Sequence, residues 1–333
     1  MTSLKQENAP NVYQSVHIGP FSVGEFGCPV LIVAEIGINH NGDISIAKEL
    51  IEQAKKAGCH AVKFQKRTVE VVYSEDELAR ARQVPPHTGI LQNAARRGVL
   101  SPEAVARLEA SGFEDATNGD LKYALEFTHE EYAEIDRFCK ERGILWFASP
   151  WDEGSVDFLE EFNPPCHKVA SASITDKELL ARLKKTGRPI ILSTGMSLHS
   201  EVARAVEIVG AENLILLHTV STYPTKDEGD LNIRMIETLK GWFPGIPVGY
   251  SGHETDLLPS IVAVARGAVL VERHFTLGQN MWGSDQQASI SFHAMRELAE
   301  SVARIPAILG TGEKVVTPGE LEILRKLRKK FYY

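Results

Sequence analysis

Short apolar segments alternate with amphipathic segments along most of the chain. Residues 29–35 and 61–65 are largely apolar on both alternating faces, which is typical of strands in a parallel sheet with both faces covered. Between them, Asp43 precedes a segment with apolar residues at every third or fourth position, and Gly58 follows it. This pattern predicts a helix that begins at an aspartate cap and ends at a glycine.

The same alternation resumes after residue 127, where Thr128 and Glu131 form a potential capping box and Gly143 ends the predicted helix. Further strands are predicted over 144–148, 167–170, 189–193, 214–217, 246–250 and 268–272. Further helices are predicted over 154–162, 176–186, 198–209, 231–241, 256–266 and 291–309. Eight strands, each followed by a helix, predict a single α/β domain, a (β/α)8 TIM barrel over 13–310. A dinucleotide-binding sheet is disfavoured, because no Gly-x-Gly-x-x-Gly opens the first helix.

Four segments lie outside this alternation. Residues 1–12 read as a disordered lead-in, and Gly and Pro between 12 and 33 predict a small N-terminal hairpin. Segment 66–127 is rich in charge, Pro and Gly, and so long an insertion after the second strand is a candidate lid. The segment 311–333 predicts one more helix, with Leu321, Leu324 and Leu327 facing inward.

Composition narrows the class of protein. The 333 residues are 43% hydrophobic and carry a formal net charge of −8, which disfavours a nucleic-acid or anionic-membrane partner. The four cysteines have no paired spacing, as expected for reduced thiols of a cytoplasmic protein. No apolar run reaches the length that a membrane span needs.

Two histidines follow neighbouring predicted strands. His253 comes after the strand over 246–250 and His274 after the strand over 268–272. If those strands are adjacent and parallel, both imidazoles lie at one rim within reach of one metal ion, with Glu35, Glu272 and Asp285 nearby. Such ligands fit Mn²⁺, Fe²⁺, Co²⁺ or Zn²⁺ better than Mg²⁺. The alternative is that each histidine is a structural residue.

Lys63 and Lys168 each lie inside an otherwise apolar strand, where an unpaired ammonium is costly. They could pair with Glu35 or Glu272 and hold the barrel together. They could instead bind a phosphate and a carboxylate, together with nearby hydroxyl groups. The other polar side chains expected at the strand ends are Asn39, Gln65, Ser149, Ser171, Ser193, Ser221, Tyr223 and Ser251.

Seven of these strand-end segments form a recognisable series. They are 34–42 (Ala-Glu-Ile-Gly-Ile-Asn-His-Asn-Gly), 62–65 (Val-Lys-Phe-Gln), 167–171 (His-Lys-Val-Ala-Ser), 192–196 (Leu-Ser-Thr-Gly-Met), 223–225 (Tyr-Pro-Thr), 249–253 (Gly-Tyr-Ser-Gly-His) and 271–276 (Val-Glu-Arg-His-Phe-Thr). In composition and order they resemble the sialic acid synthase family, from about residue 15 to 325. Members of that family condense phosphoenolpyruvate with an N-acylhexosamine-type aldose to give a nonulosonic acid.

The resemblance implies a role for each strand-end residue. His253 and His274 would bind a divalent metal, Mn²⁺ foremost, with Mg²⁺ and Co²⁺ as alternatives. Together with Glu35, Lys63 and Lys168 they would form the catalytic set. The residues expected to contact phosphoenolpyruvate are Lys63, Gln65, Ser149, Lys168, Ser171, Ser193 and Ser251. The acceptor sugar would meet Asn39, Ser221, Tyr223 and Asp285, with Glu35 near the attacking water.

The chain departs from the family pattern at two places. Many members have Ser-Gly-Glu where this chain has Ser-Ala-Ser at 171–173, so an acceptor-side carboxylate is absent. The family usually continues into an antifreeze-like domain that reaches across a dimer, and this chain is expected to lack it while remaining a homodimer. The insertion would then supply sugar-binding side chains, with Arg67, Tyr73, Arg80, Asn118 and Lys122 as candidates.

Two other functions stay open from the sequence. One is a related phosphoenolpyruvate-dependent synthase of another 3-deoxy-ulosonic acid, of the octulosonate type. Its phosphorylated acceptor needs a second basic cluster, for which Lys66, Arg67 and Arg80 are candidates. The other is a sugar-phosphate-binding barrel without catalysis.

Overall fold

The computed structural model describes residues 14–24 and 27–329, so the predicted lead-in over 1–12 lies outside the described part. The chain first forms an antiparallel hairpin of β1 (Val16–Ile18) and β2 (Phe21–Val23), as the sequence predicts. Val16, Ile18 and Val23 pack against the interior residues of the barrel strands. The hairpin therefore covers one end of the barrel core.

Within residues 27–329, eight parallel strands form one ring. They are β3 (Leu31–Gly37), β4 (Ala61–Lys66), β5 (Leu145–Pro150), β6 (His167–Val169), β7 (Ile190–Ser193), β8 (Leu214–Thr219), β9 (Val248–Gly252) and β10 (Leu270–His274). The order is β5-β4-β3-β10-β9-β8-β7-β6, so the first and last barrel strands are hydrogen-bonded neighbours. Because β5 and β6 also lie side by side, the barrel is nearly closed and the predicted (β/α)8 fold is confirmed.

Helices follow the strands, and those between the strands bury apolar faces against the ring. In chain order they are α1 (Ile44–Lys56), α2 (Val69–Val72), α3 (Glu75–Ala79), α4 (Ile90–Arg97), α5 (Pro102–Ala110), α6 (Asn118–Leu125), α7 (His129–Arg142), α8 (Glu153–Glu160), α9 (Lys177–Thr186), α10 (His199–Val209), α11 (Met235–Trp242), α12 (Leu258–Ala265), α13 (Phe292–Leu309) and α14 (Pro318–Leu327). Asp43 caps α1 through its side chain, and Thr128 and Glu131 form the predicted capping box of α7. None of the described helices has the length and apolar character needed to cross a membrane.

The long insertion is a compact helical unit. It contains α2 to α6, and its helices bury Leu91, Leu108, Leu121 and Leu125 in a core separate from the barrel clusters. The helices are short and Gly or Pro separates several of them, so their apolar periodicity is interrupted in the sequence. The insertion therefore has a defined surface that it can hold against the barrel rim.

The C-terminal helix α14 is present, but the prediction that its leucines face inward is wrong. Leu321 and Leu327 are 41% and 67% exposed, and Leu324 is only partly buried. A leucine repeat predicts a helix with one apolar face, but it does not determine whether another surface covers that face.

Candidate active site

The carboxyl ends of the barrel strands surround a cavity of about 320 Å³. Its wall contains nearly every predicted strand-end residue: Glu35, Lys63, Gln65, Ser149, Lys168, Ser171, Ser193, Ser221, Tyr223, Ser251, His253, His274 and Asp285. A larger groove of about 740 Å³ lies next to it, and Ser284 borders both. That groove contains none of the predicted site residues, so the smaller cavity is the candidate active site.

Asn39 is the exception among the predicted residues. It is buried outside the cavity, and its side-chain amide donates to Phe275 O at 2.9 Å and to Ser289 Oγ at 2.8 Å. These bonds join the segment after β3 to the segment after β10. The expectation that Asn39 contacts the acceptor is therefore corrected, since a strand-end motif does not reveal which of its side chains turns away.

Both buried lysines face the cavity and have carboxylate partners. Lys63 Nζ lies 2.6 Å from Glu35 Oε2 and 3.8 Å from Glu272 Oε1. Lys168 Nζ lies 3.4 Å from Glu272 Oε1 and donates to Ser193 Oγ at 2.7 Å. The ion pairs of the structural alternative therefore exist, and the same ammonium groups border a cavity that an anion could enter.

The two carboxylates have opposite electrostatic environments. Burial, only partly offset by the charge of Lys63, raises the pKa of Glu35 to about 7. Burial also opposes ionisation of Glu272, but Lys168 and Lys63 outweigh it and lower its pKa to about 2. Glu35 can therefore exchange a proton near neutral pH, whereas Glu272 stays ionised.

The two histidine rings lie close together, with their centroids 5.3 Å apart. His253 Nδ1 lies 2.6 Å from Val220 O, which fixes this nitrogen as the donor and directs Nε2 elsewhere. Burial and the neighbouring His274 lower the pKa of His253 to about 4, and burial also lowers the pKa of His274. Both rings are therefore neutral at pH 7, the state in which imidazole binds metals.

The residues fit a metal ion that keeps open coordination positions. His274 Nδ1 is buried without a hydrogen-bond partner among the described residues, and Asp285 Oδ2 is 3.7 Å from it. Over residues 14–24 and 27–329, no three His, Cys, Asp or Glu side chains form a ready-made metal cluster. Two imidazoles with water or substrate in the other positions suit an open catalytic metal site better than a closed four-ligand structural zinc site.

Two glycines give the cavity its shape. At Gly37, which has φ +53°, a Cβ would lie 2.8 Å from Glu35 Oε1 and 3.1 Å from Gln65 Nε2. At Gly195, a Cβ would collide with Ser221 Oγ and lie 2.7 Å from Ser171 Oγ. Both glycines lie in the quoted motifs, but a motif does not show how closely distant side chains approach its glycines.

The insertion supplies part of the cavity wall. Arg67, Tyr73 and Lys122 line it, whereas the candidates Arg80 and Asn118 do not. Arg67 Nη1 donates to Tyr73 OH at 3.0 Å, and Lys122 Nζ lies 4.7 Å from the centre of the Tyr73 ring. Three of the five predicted insertion residues are thus placed where an acceptor could meet them.

The basic cluster that an octulosonate-type acceptor would need is not formed by the predicted residues. Glu126 lies 2.8 Å from Arg67 Nε and 3.5 Å from Lys66 Nζ, so it offsets both charges. Arg80 is exposed outside the cavity. Among the described insertion residues that line the cavity, Lys122 is therefore the cation whose charge Glu126 does not offset.

A parallel barrel whose strand ends bring two lysines, two histidines and several hydroxyls into one cavity defines a TIM-barrel protein with a charged, polar cavity at the carboxyl ends of its strands. The sequence model described as "NeuB family" matches residues 50–314. The chain belongs to the NeuB family, and the resemblance to sialic acid synthases that its motifs predict is confirmed.

Individual relatives agree with this assignment. Human N-acetylneuraminate-9-phosphate synthase is 37% identical over 303 residues, covering 90% of this chain and 77% of that protein. N,N'-diacetyllegionaminic acid synthase of Legionella pneumophila is 32% identical over 305 residues, covering 90% and 78%. The crystal structure of N-acetylneuraminic acid (sialic acid) synthetase from Leptospira borgpetersenii superposes with a TM-score of 0.75 at 30% identity, covering 96% of this chain and 99% of that one.

Proposed function

We propose that the protein condenses phosphoenolpyruvate with an N-acylhexosamine-type aldose to give a 2-keto-3-deoxy nonulosonic acid and phosphate. The observation that carries this proposal is the convergence of Lys63, Lys168, His253 and His274 on one cavity. The two curated relatives described above are named as synthases of a nonulosonic acid or its phosphate, which supports the same reaction class.

Phosphoenolpyruvate suits the lysine side of the cavity. Its phosphate and carboxylate need cations and hydroxyl donors, and Lys63, Lys168 and Ser193 provide them at the carboxyl ends of three strands. The ammonium groups are held in place by Glu35 and Glu272. Because the pKa of Glu35 is raised to about 7, this carboxylate can exchange a proton at neutral pH.

The histidine side suits a divalent metal, for which we propose Mn²⁺, held by His253 and His274. When bound, such an ion supplies Lewis-acid polarisation of the acceptor's aldehyde oxygen. The chain orients the ring of His253 through the carbonyl of Val220. Tyr223 packs with its ring centroid 4.1 Å from that of His253, on the histidine side of the cavity.

The bond changes follow from these positions. C3 of phosphoenolpyruvate forms a bond to the aldehyde carbon, and the aldehyde oxygen takes up one proton to become a hydroxyl, which balances the proton that the attacking water gives up. Water adds to C2, and the tetrahedral product loses phosphate to leave the 2-keto group. We assign Glu35 to receive the proton of the attacking water, because its pKa of about 7 suits general base catalysis at neutral pH.

The insertion forms the acceptor wall in this proposal. Lys122 and Tyr73 approach the cavity from α6 and from the segment after α2. Lys122→Gln and Tyr73→Phe should raise the KM for the acceptor and leave phosphoenolpyruvate affinity unchanged. Arg80→Gln is the matched control, since Arg80 belongs to the insertion but lies outside the cavity. Equal effects of all three variants on both substrates would refute this role of the insertion.

We also propose that the protein works in the cytoplasm as a homodimer. Cys59, Cys139 and Cys166 are buried and form no disulfide, which suits a reducing compartment.

The decisive experiment mixes the protein, Mn²⁺ and phosphoenolpyruvate with a panel of acceptors. The panel contains N-acetylmannosamine, its 6-phosphate, a dideoxy-diacetamido hexose, plain aldoses and a plain aldose phosphate. Phosphate release with an N-acylated sugar, and a product mass equal to acceptor plus pyruvate, would support the proposal. Release only with a plain aldose phosphate would favour the octulosonate alternative. Binding without phosphate release would favour the non-catalytic barrel.

A further inference from the structure

A buried ionic network lies behind the cavity wall, on the opposite side of β10. Arg273, between Glu272 and His274, is 1% exposed. Its Nη1 is 3.1 Å from Glu254 Oε1 and donates to Ser260 Oγ at 2.9 Å. Its Nη2 donates to the backbone oxygen of Glu254. Arg273 thus holds both the carboxylate and the main chain of the segment after β9.

Glu254 is the centre of this network. Its Oε2 accepts a hydrogen bond from Tyr250 OH at 2.9 Å, and its Oε1 accepts one from Ser260 Oγ at 3.4 Å. The carboxylate also lies against Gly252, where a Cβ would be 2.6 Å and 2.7 Å from its two oxygens. The turn from 252 to 254 is therefore folded tightly around the Glu254 carboxylate.

The network joins the two chain segments that carry the histidines. His253 directly precedes Glu254, and His274 directly follows Arg273. Tyr250, Glu254, Ser260 and Arg273 are all absent from the cavity wall. They cannot touch a substrate there, so any effect of theirs on the reaction passes through neighbouring residues that line the cavity, among them the two histidines.

The ion pair of Glu254 and Arg273 is not explained by a contribution to folding stability alone, because both groups are buried. Both side chains are almost fully buried, and the cost of removing two charges from water commonly cancels their attraction. A charged pair does, however, fix one geometry, because its hydrogen bonds are directional and a slipped arrangement leaves a buried charge unpaired.

We propose that Glu254 and Arg273 are positioning residues that set the separation of His253 and His274 for a divalent cation. This inference rests on the proposed function, in which the two histidines hold that cation. Each end of the pair fixes the backbone next to one imidazole, as outer partners of metal ligands do in other metal sites. The alternative is that the network only fastens α12 to the barrel through Ser260.

The test is a calorimetric titration in which Mn²⁺ is added to chelator-treated protein and its affinity is measured. The variants are Glu254→Gln, which keeps the shape of the side chain, and Arg273→Lys, which keeps the charge. Tyr250→Phe is a milder third variant that should fold even if the other two do not. Glu131→Gln is the matched control. Glu131 accepts two hydrogen bonds from Arg97, of 2.7 and 2.6 Å, and neither residue lines the cavity.

We expect Glu254→Gln and Arg273→Lys to weaken Mn²⁺ binding about 10- to 100-fold, the range usual for outer-shell partners. Tyr250→Phe should weaken it less, and Glu131→Gln should leave it unchanged. Phosphoenolpyruvate affinity, measured without metal, should stay at the wild-type value in every variant. Thermal unfolding of each variant separates loss of metal affinity from loss of folded protein.

Three results would overturn the inference. Wild-type Mn²⁺ affinity in Glu254→Gln, with a lowered melting temperature, would show that the network only stabilises the fold. Equal weakening by Glu131→Gln would show that the effect is a general consequence of lost stability. Absence of Mn²⁺ binding by the wild-type protein would overturn the metal site as well, and phosphate release in the acceptor panel would then show whether the proposed reaction survives without it.

Discussion

Replacing Lys168 by Met removes one ammonium group from the cavity and keeps a side chain of similar length. The lost group donates to Ser193 Oγ at 2.7 Å and lies 3.4 Å from Glu272 Oε1. Glu272 would keep the more distant ammonium of Lys63, at 3.8 Å, and the hydrogen bond from Ser251 Oγ at 3.2 Å. The variant therefore removes a cation that phosphoenolpyruvate would use and leaves a negative charge close to the same place.

The expected loss of affinity follows from the burial of this group. Removing one partner of a buried, hydrogen-bonded charge pair costs about 2–5 kcal/mol. A value of about 3 kcal/mol corresponds to roughly 100-fold weaker phosphoenolpyruvate binding, at about 1.4 kcal/mol for each factor of ten. Lys168 is 3% exposed, so little solvent screening reduces this value.

Replacing Lys63 by Met should have a smaller effect. Its main partner is Glu35, at 2.6 Å, and burial raises the pKa of Glu35 to about 7. Without Lys63, Glu35 can remain protonated at neutral pH, so no uncompensated charge is left. Glu272 differs, because its pKa lies well below the ordinary value, and when Lys168 is lost Lys63 and the Ser251 hydroxyl still favour its ionised form. Phosphoenolpyruvate should therefore bind more weakly to Lys168→Met than to Lys63→Met, and this order tests the charge states inferred for the two carboxylates.

The assay is calorimetric titration with phosphoenolpyruvate, accompanied by thermal unfolding. Lys48→Met is the control, since Lys48 pairs with Glu134 at 2.8 Å on the protein surface. If Lys168→Met lowers the melting temperature but binds phosphoenolpyruvate like the wild type, the two lysines have only a structural role. If Lys63→Met is the more damaging variant for binding, the proposed proton uptake by Glu35 is wrong.

Three further variants test other parts of the site. His253→Ala should abolish Mn²⁺ retention and turnover without unfolding the barrel, and wild-type turnover after chelation and re-addition of Mn²⁺ would contradict the metal site. Glu35→Gln should lower kcat about 100-fold or more while phosphoenolpyruvate still binds, and an unchanged kcat would exclude Glu35 as the base. Burial lowers the pKa of His40 to about 3. Between about pH 6 and pH 3, His40 is therefore protonated in the unfolded chain but neutral in the folded protein. The free energy of unfolding should therefore fall by up to about 1.4 kcal/mol per pH unit as the pH drops from about 6 towards 3, and His40→Gln should flatten this slope in urea titrations.

The strand-end chemistry could be predicted from sequence because it depends on simple periodicity. Apolar runs mark the strands, and parallel strands in a barrel place their carboxyl ends at one rim. A polar residue at the end of each run, such as Lys168 or His253, must then lie near that rim. The structure places both in the cavity wall, together with most of the predicted hydroxyl side chains.

The predictions that were wrong concern the direction in which a side chain points and the surface that it contacts. Asn39 belongs to the same motif as Glu35, but a turn with Gly37 at φ +53° lies between them, and Asn39 points towards Phe275 and Ser289. The apolar face of α14 and the separate core of the insertion depend likewise on contacts between distant segments. A local pattern carries no information on such contacts.

Closure of the barrel between β3 and β10 has a consequence for how the protein matures. Glu35 and His274 are register partners across this junction, although nearly the whole barrel sequence separates them. During synthesis, Glu35 can meet Lys63 early, but Lys168 must wait for Glu272 on the last barrel strand. A ribosome-bound chain without β10, or a fragment cut before it, would lack one histidine and the carboxylate that holds Lys168. Appearance of activity should therefore coincide with docking of the last strand, which would make enzymatic turnover a direct reporter of completed folding.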